Sequence, residues 1–168
     1  ELADSITFDP HKWMFVPFAC GATLVRDGRR VLRDAFDMTP EYLNEDRGGA
    51  DVEFDFFRYG QMGTRRFNSL KLWMAIKFMG REGYSKTVER QIDLTNYLAK
   101  QIDSLPDFER IGEVETAVCC FRFVPKADLD LDRLQQRLQQ TIERSGEAWL
   151  TTTIVRGRRV MRVNINSF

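Results

Sequence analysis

Polar and apolar residues alternate at the start of the chain, with Ile6 and Phe8 set against Ser5, Thr7 and Asp9. This is the period of a half-buried strand, and Pro10 ends it because proline has no N–H to give to a ladder. Asp9, His11 and Lys12 are thereby placed at a strand end. The stretch "GATLVRDGRRVL" reads as a strand pair, Ala22 to Arg26 and Val31-Leu32, around an Asp-Gly turn signal. From 37 to 63 no apolar period is sustained, and this acidic, glycine-containing segment reads as a long functional connection. Within it, Thr39-Pro40 can open a short helical turn carrying Tyr42 and Leu43.

Helical spacing returns with Leu70, Trp73, Ile76 and Met79, opened by Asn68 or Ser69 and closed by glycine. A second helix over 84–105 aligns Val88, Ile92, Thr95, Ala99 and Ile102 on one face, and Pro106 stops it. There follow a strand over 117–124, a helix with Leu131, Leu134, Leu138 and Ile142 on one stripe, and strands over 149–155 and 160–165. This tail is an α+β module whose helices cover one face of a small sheet. A boundary therefore falls near Lys71, giving units of 1–70 and 71–168. The first seventy residues make a poor core alone and read as the end of a larger domain. A start at Glu1 rather than methionine points the same way.

Composition narrows the function classes. At 168 residues with 43% hydrophobic and 12% aromatic side chains, the chain can bury a substantial core. Twenty-five basic residues balance twenty-five acidic ones, so no net field recruits nucleic acid or an anionic membrane. The arginine pairs in "DGRR" and "RGRR" read as turn flanks. No run has the length of a membrane span, and no signal pattern opens the chain. Cys20, Cys119 and Cys120 are odd in number and lack metal-ligand spacing, which argues against a disulfide framework or a zinc site and for a reducing, cytoplasmic setting. Cys119-Cys120 lie in "AVCCFRFV" and read as small buried hydrophobes.

The candidate chemistry is Lys12. A hydrated ammonium beside histidine and the apolar run "WMFVPFAC" is unusual company unless it is paired or covalently engaged, and imine formation with an aldehyde is one such engagement. The other reading is a strand-terminal lysine reaching solvent while His11 caps a loop.

"DSITFDPHKW", "LVRD", "TPEYL", "QMGTRRFNSLKLW", "FMGREG" and "RRVMRVNINSF", in that order, resemble the group II pyridoxal-phosphate-dependent amino-acid decarboxylases, the aromatic-amino-acid, glutamate and diaminobutyrate enzymes. The resemblance runs nearly end to end. It implies an α/β, aspartate-aminotransferase-like fold (fold type I), with residues 1–70 ending the large cofactor domain and 71–168 forming the small C-terminal domain of a homodimer. It implies that Lys12 carries pyridoxal 5'-phosphate as an internal aldimine, with His11 and Asp9 near the cofactor phosphate. Many members have asparagine where this chain has Asp9, and a carboxylate there faces a phosphate dianion unfavourably. Tyr42 matches the tyrosine of the mobile catalytic loop, which protonates the quinonoid carbanion, acting across the dimer interface with Gly48-Gly49 as hinges. Thr64 and Arg162 are candidates to meet the substrate carboxylate. The implied reaction converts an L-amino acid to its amine and carbon dioxide. The family's pyridinium partner, its ring-stacking histidine and its phosphate loop lie upstream of the lysine, so the isolated piece is expected to be inactive. The rival readings are another lyase or transferase of the same fold, and a non-catalytic interaction module.

Overall fold

The computed structural model describes residues 2–40 and 55–166, which form two compact units, Glu1–Phe78 and Met79–Phe168. In the first unit, β1 (Ser5–Phe8) pairs antiparallel with β2 (Ala22–Val25), setting Ser5 opposite Val25 and Phe8 opposite Ala22. The strand that Val31-Leu32 were expected to form is absent. Those residues lie in a helix, α1 (Gly28–Phe36). The reason is period: Leu32 and Phe36 are half-buried four residues apart, and the Arg30–Asp27 and Arg33–Asp37 pairs, at 2.8 and 3.1 Å, bracket the turns. Two apolar neighbours after Asp-Gly could not distinguish the two outcomes.

The helix α2 (Asn68–Asp103) is broken at Gly80, whose φ of 61° and ψ of 179° belong to a region open essentially to glycine alone. The expected stop at a glycine is therefore real, and the helix resumes beyond it. Past the break, Gln91, Thr95, Ala99 and Ile102 are buried at spacings of four, four and three. Gln91 takes the fully buried place expected of Ile92.

The second unit is a four-stranded antiparallel sheet in the order β3 (Phe108–Arg110), β4 (Val118–Phe123), β6 (Arg158–Asn164), β5 (Thr151–Val155). β3 has no counterpart in the sequence reading. It is too short to carry a period of its own and forms by setting Phe108 opposite Phe123. Helix α3 (Leu131–Ser145) starts where the Asp130 carboxylate accepts from the Arg133 N–H at 3.0 Å, and stops at Gly146 in the left-handed region. Ala99 and Ile102 of α2, with Leu138 and Ile142 of α3, pack against Cys119, Phe121 and Met161 on one face of the sheet. The β5–β6 turn has Arg156 and Gly157 at φ of 50° and 76°, the two-residue form that suits the twist of a hairpin.

One side chain stands in for a missing length of ladder. β4 and β6 pair from Val118 to Phe121, and at Phe123 it is Gln135 of α3 that completes the bonding. Its amide accepts from the Phe123 N–H at 2.9 Å and donates to the Phe123 carbonyl at 2.8 Å, from a fully buried position. Asp132 of the same helix accepts from the Arg159 N–H at 3.0 Å and from the Arg122 guanidinium at 2.5 Å.

Candidate active site

Two nested turns display Lys12. The Lys12 N–H donates to the Asp9 carbonyl at 2.9 Å, a four-residue turn with Pro10 at the second place, where its fixed φ suits the bend. The Phe15 N–H then donates to the Lys12 carbonyl at 3.1 Å, and Val16 N–H returns to the Pro10 carbonyl at 3.0 Å. Phe15 makes this second reversal at φ 53°, a left-handed conformation that a bulky residue adopts at a cost of about 1–3 kcal/mol. Burial of Pro10 and Val16 under the turns offsets that strain.

The lysine side chain is 66% exposed, and its ammonium donates to the Asp9 carboxylate at 2.6 Å. That hydrogen bond, against some desolvation, holds the Asp9 carboxyl below its usual value, with the charges of Lys12 and His11 adding to the effect. His11 Nδ1 lies 2.7 Å from the Cys20 carbonyl. A carbonyl can only accept, so Nδ1 carries a proton, and in the neutral ring Nε2 keeps its lone pair. The Phe18 ring meets the imidazole edge-on at 4.9 Å between centroids. Asp9, His11 and Lys12 thus share one turn, with a primary amine facing outward. Once it has given up one proton, an amine so placed can attack a carbonyl carbon.

Residues 1–124 match the family model described as the pyridoxal-dependent decarboxylase conserved domain. The chain belongs to this family. An aromatic-L-amino-acid decarboxylase of Bacillus atrophaeus is 30% identical over 164 residues, covering 96% of this chain and 34% of that protein. The enzyme of the same name from Sus scrofa is 31% identical, covering 99% and 33%. Among solved structures, Oryza sativa TDC with PLP and tryptamine superposes with a TM-score of 0.85 at 26% identity, covering 96% of this chain and 34% of that one. The chain therefore spans about a third of the length of the decarboxylases it matches. Its fold is the α/β, aspartate-aminotransferase-like type I architecture of these enzymes.

Within this decarboxylase framework the other sequence candidates lie on separate elements. Thr64 is exposed in the connection before α2. Arg162 belongs to the second unit, half-buried on β6 opposite Cys120 and Thr151. Tyr42 and Gly48-Gly49 lie outside the described residues. Cys119 and Cys120 sit on opposite faces of β4, and burial pushes both thiols up, countered at Cys120 by Arg162. All three cysteines are free thiols. No helix among the described residues is long and apolar enough to cross a membrane.

Three residues that sequence reading passed over complete the site: Phe18, Cys20 and Lys71. Lys71 carried a faint signal. It stands in the first turn of α2, which has no acidic residue, where the helix dipole disfavours a cation. Its ammonium answers two backbone carbonyls, Pro17 and Ala19, each at 3.0 Å.

Proposed function

We propose that this chain is the part of a pyridoxal-phosphate-dependent amino-acid decarboxylase that runs from the cofactor lysine to the small domain. The observation that carries the reading is Lys12, an outward amine held, among the described residues, by a surface carboxylate at the end of β1. The donor set fits the cofactor: a primary amine suits its aldehyde, and an imidazole whose Nδ1 is held by the Cys20 carbonyl would, in its doubly protonated form, donate through Nε2 to a phosphate oxygen. When bound, pyridoxal phosphate supplies an electron sink for the charge left on the substrate α-carbon as carbon dioxide departs. Lys12 would hold the aldehyde carbon until the substrate amine displaces it, and His11 would lie toward the phosphate. Asp9 orients the lysine ammonium. Tyr42 would deliver a proton to the α-carbon and help exclude water. Thr64 and Arg162 are the candidates for the substrate carboxylate.

Leu2, Met38, Phe67, Trp73 and Phe78 are exposed, a density of large apolar side chains that supports cover by further polypeptide in the working enzyme. We place residues 1–70 at the end of its large domain and 71–168 in the small one, in a homodimer. The free thiols support a reducing, cytoplasmic setting. The 168-residue chain alone is expected to turn over little or no substrate.

The test is borohydride reduction of the chain with pyridoxal phosphate, followed by peptide mapping. The expected result is an adduct on Lys12 that disappears in Lys12→Ala; labelling spread over surface lysines, or equal labelling of the variant, refutes the assignment. Product analysis of the full-length parent separates the rival chemistry. Amine with carbon dioxide supports decarboxylation. Aldehyde release supports the rival, another pyridoxal-phosphate lyase or transferase of the same fold, such as a phosphate-ester lyase.

A further inference from the structure

We propose that Lys71 is a positioning residue that sets the tautomer and orientation of His11 from the first turn of α2. The link is a chain of short contacts within one unit. The Lys71 ammonium donates to the carbonyls of Pro17 and Ala19, both at 3.0 Å. The next carbonyl along, that of Cys20, accepts from His11 Nδ1 at 2.7 Å and lies 3.4 Å from the His11 backbone nitrogen. Phe18, between the two clamped carbonyls, lays its ring against the imidazole.

The segment needs such a clamp. Residues 17–19 are exposed, belong to neither strand nor helix, and have no ladder to orient their carbonyls. An unclamped loop of this kind samples many backbone states, and a carbonyl that wanders cannot hold one ring nitrogen protonated. Cys20 is anchored on the same helix, its buried thiol 3.9 Å from the Asn68 carbonyl. Lys71 thus supplies two charge-assisted hydrogen bonds at the point where the loop would otherwise be free. A cation in a first helical turn works against the helix dipole, and its placement here is explained by what it holds.

The inference deepens the proposed function, since it names what positions the histidine beside the cofactor lysine. Its test needs no cofactor, so its failure is distinguishable from failure of the Lys12 adduct. His11 is the chain's single histidine, so one imidazole supplies the whole nitrogen-15 signal. In the neutral wild-type ring, Nδ1 is expected to be protonated and Nε2 bare. Lys71→Met should lose that single-tautomer pattern and give a ring averaging between tautomers, while Lys71→Arg, which keeps a charged donor, restores it. Retention of the wild-type pattern in Lys71→Met overturns the proposal, as does its loss in a folded Lys71→Arg. Should Lys71→Met lose its far-ultraviolet ellipticity, Lys71→Gln is read in its place: a weakened tautomer preference supports the role, and an unchanged one overturns it.

Discussion

Replacing Gln135 by methionine keeps the length and volume of the side chain and removes its hydrogen bonds. The amide is fully buried and serves both the N–H and the carbonyl of Phe123, at 2.9 and 2.8 Å, where β4 has parted from β6. A third bond, to the Leu131 carbonyl at 3.0 Å, returns to its own helix and matters less, because that carbonyl also faces the helical ladder. Two backbone groups lose their partner, and each buried group left unmade costs about 1–3 kcal/mol. Phe123 is only half-buried, so water recovers part of this, and the expected loss is about 2–4 kcal/mol. In urea, with a dependence of about 1–3 kcal/mol per molar, a mid-range loss moves the midpoint down by roughly 1–3 M. The Phe123 amide should also lose hydrogen-exchange protection while the Cys119 amide keeps it. A midpoint within about 0.3 M of wild type, a shift worth under ~1 kcal/mol, would refute the view that this side chain replaces a piece of ladder.

Gly80→Ala should destabilise the chain by about 1–3 kcal/mol, because a Cβ finds open space there and only the backbone conformation objects; a rise in both helical ellipticity and melting temperature would show instead that the break in α2 is dispensable. Asp37, at the end of α1, is held below the ordinary 3.8 by the Thr39 hydroxyl first and then by Arg33 and Arg58. Its folded value is depressed, so its stabilising contribution is complete above the unfolded value and is lost as pH falls from about 3.8 through the lower folded value. Protection factors of the α1 amides, taken against the intrinsic exchange rate at each pH, should accordingly fall below pH ~4 and stay level from 5 to 8, and Asp37→Asn should abolish the acid-induced step. Asp9→Asn should speed adduct formation at Lys12 more for pyridoxal phosphate than for unphosphorylated pyridoxal, since it removes an anion from beside the incoming phosphate. Equal acceleration of both aldehydes would place the effect on the lysine alone.

Periodicity along the chain was enough to place most of the second unit. β4, α3 and β6 each carry apolar residues that recur on a face, and a repeating face can be recognised without its partner. The turn holding Asp9, His11 and Lys12 was legible for a similar reason, since Pro10 limits its conformation locally. What needed the folded chain were features defined by residues distant in sequence. β3 exists because Phe108 meets Phe123, and "GRRVL" is helical because Leu32 and Phe36 find cover that a five-residue window does not display. Gln135 looks like any polar residue on an amphipathic helix until β4 and β6 part beside it. Lys71 is one more lysine until Pro17 and Ala19, more than fifty positions earlier, turn their carbonyls toward it. Local sterics and hydrophobic period are written in neighbouring residues; the pairing of a buried polar group is decided only when the closing chain brings its partner within about 3 Å.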